Sequence, residues 1–195
     1  MDPATFDFYT QRAPHHTHGF AGDYSAPLDA FLDRLAPGAR ILELGCGGGQ
    51  DSARMRARGF AIDATDGVPA MVAKANARFD LGARILRFDE LDAVAAYDAV
   101  WAHACLLHCP RAQLPLVLGA IHTALRPCGL HFASYKLGTG EGRDLLGRLH
   151  NFPPADWLLA RHEEAGFMLL EQRTYAGKAS DGTQRDWIDL TVQRA

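Results

Sequence analysis

The first clear pattern in this chain is a helical repeat of apolar positions that starts at Ser25. Ser25 can cap this helix and Pro27 suits its first turn, while Pro37-Gly38 ends it. The apolar side chains that recur at helical spacing are Leu28, Phe31, Leu32 and Leu35. Residues 1–24 lack such a repeat, and we predict that they are irregular.

After this helix, short apolar runs of strand type alternate with further helical stretches. Strands are predicted at 40–44, 60–65, 83–88, 97–102, 129–135, 167–175 and 186–193, and helices at 51–58, 68–78, 111–125 and about 154–165. Such alternation predicts parallel βαβ units with helices on both faces of one sheet. No helix separates the last two strands, so we expect an antiparallel hairpin with its loop near 176–185.

The composition of the chain is typical of a globular protein. The chain has 195 residues, of which 48% are hydrophobic and 22% charged, as expected of one globular domain. A net charge of −3 gives no reason to expect a nucleic-acid partner. The start MDPATFDF does not resemble a secretory signal, and no apolar run is long enough for a membrane span.

The four cysteines point to a reducing compartment. They are Cys46, Cys105, Cys109 and Cys128, and no two of them form a CxxC pair. We therefore expect free thiols, a cytoplasmic location and no metal site.

The strongest chemical signal is the glycine-rich segment Glu43-Leu44-Gly45-Cys46-Gly47-Gly48-Gly49, which follows the first strand. Glycines let a backbone approach a ligand closely, and ligands of open α/β sheets bind beyond the carboxyl ends of the strands. A dinucleotide fingerprint fails, because its third glycine would fall on Gln50 or Ser52, and no Gly-Lys-Ser/Thr phosphate loop is present. This argues against a nucleotide-dependent oxidoreductase.

The pattern acidic-x-Gly-x-Gly-x-Gly, at Glu43, Gly45, Gly47 and Gly49, resembles class I S-adenosylmethionine-dependent methyltransferases. The resemblance covers about residues 38–193 and is greatest for small bacterial members that have GCGxGxDS, here Gly45–Ser52. It implies S-adenosylmethionine as cofactor and a three-layer, Rossmann-like, mostly parallel seven-stranded sheet with an antiparallel last strand. We expect a single domain over 1–195, with 1–24 as an N-terminal cap segment and 25–195 as the catalytic core.

The resemblance also assigns cofactor contacts. Asp66, at the end of the second strand, would accept hydrogen bonds from the ribose hydroxyls, or cap the next helix, or both, and Asp63 is a weaker alternative. Arg87 stands where the family has an acid near the adenine, so Phe88 and Asp89 are assigned to that role instead. The full set of expected cofactor contacts is Glu43, Gly45, Cys46, Gly47, Gly49, Asp51, Asp66, Gly67, Met71, Phe88, Asp89, His103 and Ala104.

Catalytic residues are less well defined by the sequence. His108, His103 and Tyr9 are the candidates, with Tyr135 as a further possible base, and each has a structural reading beside the functional one. His108 could face the substrate or cap the helix near Arg111, and Tyr9 could close the site or pack on the surface.

Two further groups were assigned by position. The histidines His15, His16 and His18 are either loop residues near the substrate or ordinary surface residues. Segments 134–138 and 150–152 should lie at the mouth of the site.

The leading hypothesis is therefore a methyltransferase that acts on a small-molecule acceptor. The alternative is a non-catalytic module that binds S-adenosylmethionine. The acceptor and the oligomeric state are not defined by the sequence.

Overall fold

The computed structural model describes residues 1–15 and 25–195, without the side chains of His15 and Ser25. The helices are α1 Pro3–Arg12, α2 Ser25–Leu32, α3 Gln50–Ala57, α4 Pro69–Phe79, α5 Leu114–Ala124 and α6 Ala155–Glu164. The strands are β1 Arg40–Leu44, β2 Ala61–Asp66, β3 Arg84–Ile85, β4 Tyr97–Ala102, β5 Leu125–Lys136, β6 Gly142–Arg143, β7 Leu149–His150, β8 Phe167–Lys178 and β9 Gln184–Arg194.

Seven strands form one sheet in the order β3-β2-β1-β4-β5-β9-β8. The first five pair in parallel, and β9 runs antiparallel to both β5 and β8. This confirms the predicted Rossmann-like sheet with an antiparallel last strand and the terminal hairpin. The chain leaves β1 towards β2 on one side and later returns to β4 on the other, which places a ligand crevice at the carboxyl ends of these strands.

Helices cover both faces of the sheet. On one face, Leu28, Phe31 and Leu32 of α2 are each 1% exposed and pack with Trp101 and Phe132 of the sheet. Burial of such side chains stabilises a fold by about 1.5–3 kcal/mol each. The apolar repeat that predicted this helix is therefore the face that holds it on the sheet, although the cap assigned to the side chain of Ser25 lies outside the described residues.

The irregular structure predicted for residues 1–24 is wrong over Pro3–Arg12, which form α1. The carboxylate of Asp2 accepts a hydrogen bond from Thr5 N at 2.9 Å, and Pro3 occupies the first turn. These are local start signals. Phe6 and Tyr9 pack against the small buried cluster of Ala13, Val68 and Met71, but the helix has no pronounced apolar face, and this is why periodicity missed it.

The third strand is shorter than the predicted 83–88 and contains only Arg84–Ile85. Beyond it, Arg87 N donates a hydrogen bond to Glu90 Oε2 at 2.9 Å and the chain enters the 3-10 turn Phe88–Glu90. The side-chain acceptor replaces a strand partner and ends the pairing.

Two boundaries around α5 also differ from the prediction. The helix begins at Leu114 rather than 111, and β5 begins at Leu125 rather than 129. Cys128 adopts a φ of 62°, and the pairing of β4 with β5 is irregular between Tyr97 and Ala99. Pro127 and Gly129 therefore interrupt the sequence pattern without ending the strand. The two-residue strands β6 and β7 were not predicted at all.

No helix in the described part of the chain combines the length and the apolar character that crossing a membrane requires. The described cysteines Cys46, Cys105, Cys109 and Cys128 are free.

Candidate active site

The glycine-rich turn joins β1 to α3 at the carboxyl edge of the sheet. Gly45, Gly47 and Gly49 have φ angles of 71°, 53° and 82°, a region that side chains disfavour. A Cβ added to Gly45 would lie 2.5 Å from Cys105 Cβ, which is inside van der Waals contact. The sequence therefore needs glycine here for both its conformation and its close approach to the neighbouring segment.

Asp66 ties the end of β2 to this turn. Its Oδ2 accepts a hydrogen bond from Gly47 N at 2.9 Å, and its Oδ1 accepts one from Val68 N at 2.8 Å. Burial raises the pKa of this carboxyl group, and the two N–H donors oppose that rise. Asp66 therefore holds the turn that precedes α4 but does not cap this helix, whose N-cap residue is Val68. Its carboxylate also lies at the surface of a pocket.

Glu43 lies beneath the turn. It is 3% exposed, and its carboxylate accepts a hydrogen bond from the Ser52 hydroxyl. Burial and the nearby charge of Asp51 raise its pKa well above the ordinary value. Glu43 therefore supports the turn from below and does not line the pocket.

One pocket joins the turn to the N-terminal helix. It is lined by Met1, Tyr9, Gly45, Gly47, Asp66, Gly67, Val68, Met71, Phe88, Ala104, Cys105 and His108. Its volume is about 80 Å³. Sites for small molecules usually enclose about 300–1,000 Å³. Because Met1 and Tyr9 belong to the α1 segment and form one wall, movement of α1 is the simplest way to enlarge the pocket.

Tyr9 and His108 form the wall opposite Asp66. The Tyr9 hydroxyl lies 2.9 Å from His108 Nε2 and accepts a hydrogen bond from Arg148 Nη1 at 2.9 Å. His108 Nδ1 lies 2.7 Å from Leu149 O, which can only accept. His108 is therefore neutral with its proton on Nδ1, and Tyr9 donates to Nε2.

The pKa shifts of Tyr9 and His108 agree with two neutral side chains. Burial and the nearby His150 lower the pKa of His108 well below its ordinary value. Burial raises the pKa of Tyr9, while the charge of Arg148 opposes the rise. Both shifts favour neutral side chains.

Arg148 comes from the hairpin β6–β7, which the sequence did not reveal. It pairs with Asp144 through Nε at 2.9 Å and Nη2 at 2.6 Å, and both side chains are at most 3% exposed. Arg148 lowers the pKa of Asp144 to about 2 against the effect of burial. His150 Nε2 lies 3.1 Å from the same carboxylate. The i, i+4 pair of opposite charges was visible in the sequence, but nothing there showed that it would be buried.

The same hairpin holds α1 in place. Arg143 forms an ion pair with Asp2 at 2.8 Å, and Leu149 N donates to the Thr5 hydroxyl at 2.8 Å. With the Arg148–Tyr9 bond, these contacts fix α1 over the pocket.

The structure brings together many of the expected site residues and separates others. Those that line the pocket are Tyr9, Gly45, Gly47, Asp66, Gly67, Met71, Phe88, Ala104 and His108. Those outside its lining are Glu43, Cys46, Gly49, Asp51, Asp89 and His103.

The residues outside the lining have other contacts. Asp89 pairs with Arg87 at 3.1 Å and borders a smaller neighbouring cavity. His103 Nδ1 lies 3.4 Å from Asp51 Oδ2, which also accepts from Trp101 Nε1 at 2.9 Å.

Other candidates lie further from the pocket. Asp63 pairs with Arg84 at 3.0 Å on the outer part of the sheet, and Tyr135 is fully buried in the core. The ring of His108 contacts Tyr9 and Leu149 and does not cap α5. Among the histidines of the N-terminal segment, His16 and His18 lie outside the described residues, as does the side chain of His15. Within residues 1–15 and 25–195 no group of three potential metal ligands occurs.

The residues present fit a nucleoside with an amino-acid tail. The turn offers close-approach backbone, Asp66 offers a carboxylate for sugar hydroxyls, and Met71 and Phe88 offer apolar surface for a base.

Comparison with known proteins gives likeness to methyltransferases in both sequence and fold. Residues 41–129 match a family model described as a methyltransferase domain. A protein named Hemagglutinin 1 from Eikenella corrodens is 27% identical over 176 residues, which cover 82% of this chain and 57% of that protein. The chain thus spans little more than half the length of this curated relative.

Solved methyltransferase structures share the fold. A S-adenosylmethionine-dependent methyltransferase from Methanosarcina mazei superimposes with a TM-score of 0.77 at 13% identity, covering 85% of this chain and 96% of the other. The 1,6-didemethyltoxoflavin-N1-methyltransferase of Burkholderia thailandensis, solved with 1,6-didemethyltoxoflavin and S-adenosylhomocysteine, superimposes at 0.70 with 23% identity, covering 96% and 78%. Residues 41–129 thus match a methyltransferase domain, and the whole sheet has the fold of solved S-adenosylmethionine-dependent methyltransferases.

Proposed function

We propose that this protein transfers a methyl group from S-adenosylmethionine to a small-molecule acceptor. The observation that carries the proposal is a single pocket with two different walls. Gly45, Gly47 and Asp66 form one wall, and Tyr9 and His108 form the other. The first wall suits the cofactor, and the second lies where an acceptor would meet it.

The cofactor wall offers a carboxylate for the sugar beside apolar side chains for the base. Asp66 would accept hydrogen bonds from the ribose hydroxyls, and Met71 and Phe88 would contact the adenine. When bound, the cofactor supplies a methyl group on a sulfonium, which leaves as S-adenosylhomocysteine once the acceptor has taken the methyl. The protein supplies alignment, because an in-line displacement depends on position.

The helix α1, which forms the roof of the pocket, favours a small acceptor. Tyr9 is part of the lining, and α1 is pinned to the hairpin through Asp2–Arg143 and Thr5–Leu149. An acceptor under this roof must be enclosed, which suits a metabolite better than a residue on a folded protein or a nucleic acid.

The wall of Tyr9 and His108 is better suited to positioning than to proton removal. A base at the acceptor would have to place a proton on His108, whose pKa is lowered well below the ordinary value, or ionise Tyr9, whose pKa is raised. Both steps oppose the protonation states that the fold favours. We therefore propose an acceptor atom that reacts without a base, such as a thiolate or another group already ionised.

An assay of S-adenosylhomocysteine release tests the function. The full chain is incubated with S-adenosylmethionine and with thiol, amine, hydroxyl, carboxyl and metalloid acceptors. We expect turnover with at least one small acceptor, and greatest for acceptors ionised at neutral pH. Tight cofactor binding without release across the whole panel would instead support the non-catalytic binding module.

A further inference from the structure

Lys136 has a buried side chain that forms no ion pair with a carboxylate of residues 1–15 or 25–195. The residue is 3% exposed and lies at the carboxyl end of β5. Its Nζ lies over the ring of Trp187, 5.3 Å from the ring centroid. A cation–π contact of this kind is weaker than the ion pair that normally accompanies a buried ammonium group. A buried ammonium group that lacks an ion-pair partner therefore needs a physical explanation.

The strand geometry places Lys136 beside the pocket. Ala104, which lines the pocket, donates its backbone N–H to Ser134 Oγ at 2.8 Å. Ser134 and Lys136 are two residues apart on one strand, so their side chains project to the same face. Lys136 therefore lies on the same face of β5 as Ser134, which contacts Ala104, and is two residues closer to the end of the strand.

The charged groups near Lys136 are two carboxylates and two guanidinium groups, beside the neutral ring of His150. His150 is fully buried, and its Nδ1 has no hydrogen-bond partner within the described structure. Burial, together with the charges of Lys136 and Arg148, lowers the pKa of His150 to about 3, so its ring is neutral. Arg148 is already matched by Asp144, whereas Lys136 is not. Other charges that act on Lys136 come from Asp144, Arg148, Asp181 and Arg185.

We propose that Lys136 binds an anionic group of the acceptor, a carboxylate in the first instance, with His150 Nδ1 as a second polar contact. This inference rests on the proposed function and names its acceptor class. An anion would supply the partner that the ammonium lacks, and a charge-assisted hydrogen bond is worth more than the aromatic contact alone.

Binding to the full chain saturated with S-adenosylhomocysteine tests this proposal. The probes are 4-mercaptobenzoate, 4-hydroxybenzoate and 4-aminobenzoate, each compared with its neutral amide by calorimetry. Lys136→Met removes the charge and Lys136→Arg retains it. Lys178→Met is the matched control, because Lys178 is an exposed lysine on β8.

We expect at least one carboxylate to bind at least tenfold more tightly than its amide. Lys136→Met should abolish that preference, while Lys136→Arg and Lys178→Met should keep it. In ¹³C spectra of labelled lysine, the pKa of Lys136, about 8 without ligand, should rise when the carboxylate binds. This spectroscopic measurement decides the question even if Lys136→Met does not fold.

Equal binding of acid and amide, no binding by any carboxylate, or an unmoved Lys136 signal would overturn the proposal. Its failure is separate from that of methyl transfer. Carboxylate binding at Lys136 without release of S-adenosylhomocysteine would contradict the transferase alone. Release with neutral acceptors only would contradict the anionic site alone.

Discussion

Replacing Asp66 with asparagine removes one negative charge from the point where β2 meets the glycine-rich turn. In the native structure the two carboxylate oxygens accept one hydrogen bond each, from Gly47 N and Val68 N. An amide has only one oxygen, so Asp66→Asn retains one of these bonds and turns an NH₂ group towards the other donor. The side chain can no longer hold the turn and accept from two ribose hydroxyls.

The size of the effect follows from these bonds. A hydrogen bond to a charged group contributes about 1.5–3 kcal/mol. Loss of one such bond to the ribose should raise the Kd for S-adenosylhomocysteine by about 10–150-fold. Loss of the bond to Gly47 N should lower the free energy of unfolding by a similar amount. For a domain of this size that corresponds to a fall in Tm of about 3–12 °C.

Calorimetric titration with S-adenosylhomocysteine measures the first effect and thermal unfolding the second. Asp63→Asn is the matched control, because Asp63 lies on the same strand but pairs with Arg84 at 3.0 Å. This control should leave the Kd unchanged. If Asp66→Asn folds and binds with native affinity, or if Asp63→Asn weakens binding as much, Asp66 does not hold the cofactor.

Three further predictions concern the turn, the roof and the core. Gly45→Ala should abolish cofactor binding in calorimetry, because the new Cβ would lie 2.5 Å from Cys105 Cβ at a φ of 71°; normal binding by a folded variant would contradict this. Tyr9→Phe leaves His108 Nε2 without its donor and should lower the free energy of unfolding in urea by about 1–3 kcal/mol; an unchanged midpoint would refute it. His131 is buried with its pKa lowered from 6.5 to about 3, so its stabilising effect is present above pH 6.5 and is lost as pH falls. Between pH 7.5 and 5.5 the native protein should lose about 1.4 kcal/mol more than His131→Phe in urea titrations, and parallel pH profiles would exclude this residue as a source of acid sensitivity.

That Gly45, Gly47 and Asp66 would lie together was predictable, because the signals for these residues are local. The glycine spacing and Asp66 lie within one strand–turn–helix–strand unit, and the structure brings Gly45, Gly47 and Asp66 to one pocket. Each of these residues follows a strand whose apolar pattern is strong. Their positions in the fold therefore follow from the sequence, since the carboxyl ends of neighbouring parallel strands meet at one edge of the sheet.

The opposite side could not be predicted in the same way. The helix α1 has little apolar periodicity, and β6 and β7 are two residues long, so neither leaves a repeat in the sequence. Their positions depend on pairs between distant residues, such as Tyr9 with His108 and Asp2 with Arg143. The roles assigned to His103 and Asp89 remain predictions, although neither side chain lines the pocket.

The two sides of the pocket come from different parts of the chain, and this affects how substitutions could change the acceptor. The glycine-rich turn leaves little room for side chains at Gly45 and Gly49, so we expect substitutions there to alter cofactor affinity first. The roof and far wall come from residues 1–12 and 142–150, which are joined to each other by Asp2–Arg143, Thr5–Leu149 and Tyr9–Arg148. These residues lie outside the seven-stranded sheet. Because one fold can host many chemistries, we expect substitutions near Tyr9 to alter the choice of acceptor and substitutions near Asp66 to alter cofactor affinity.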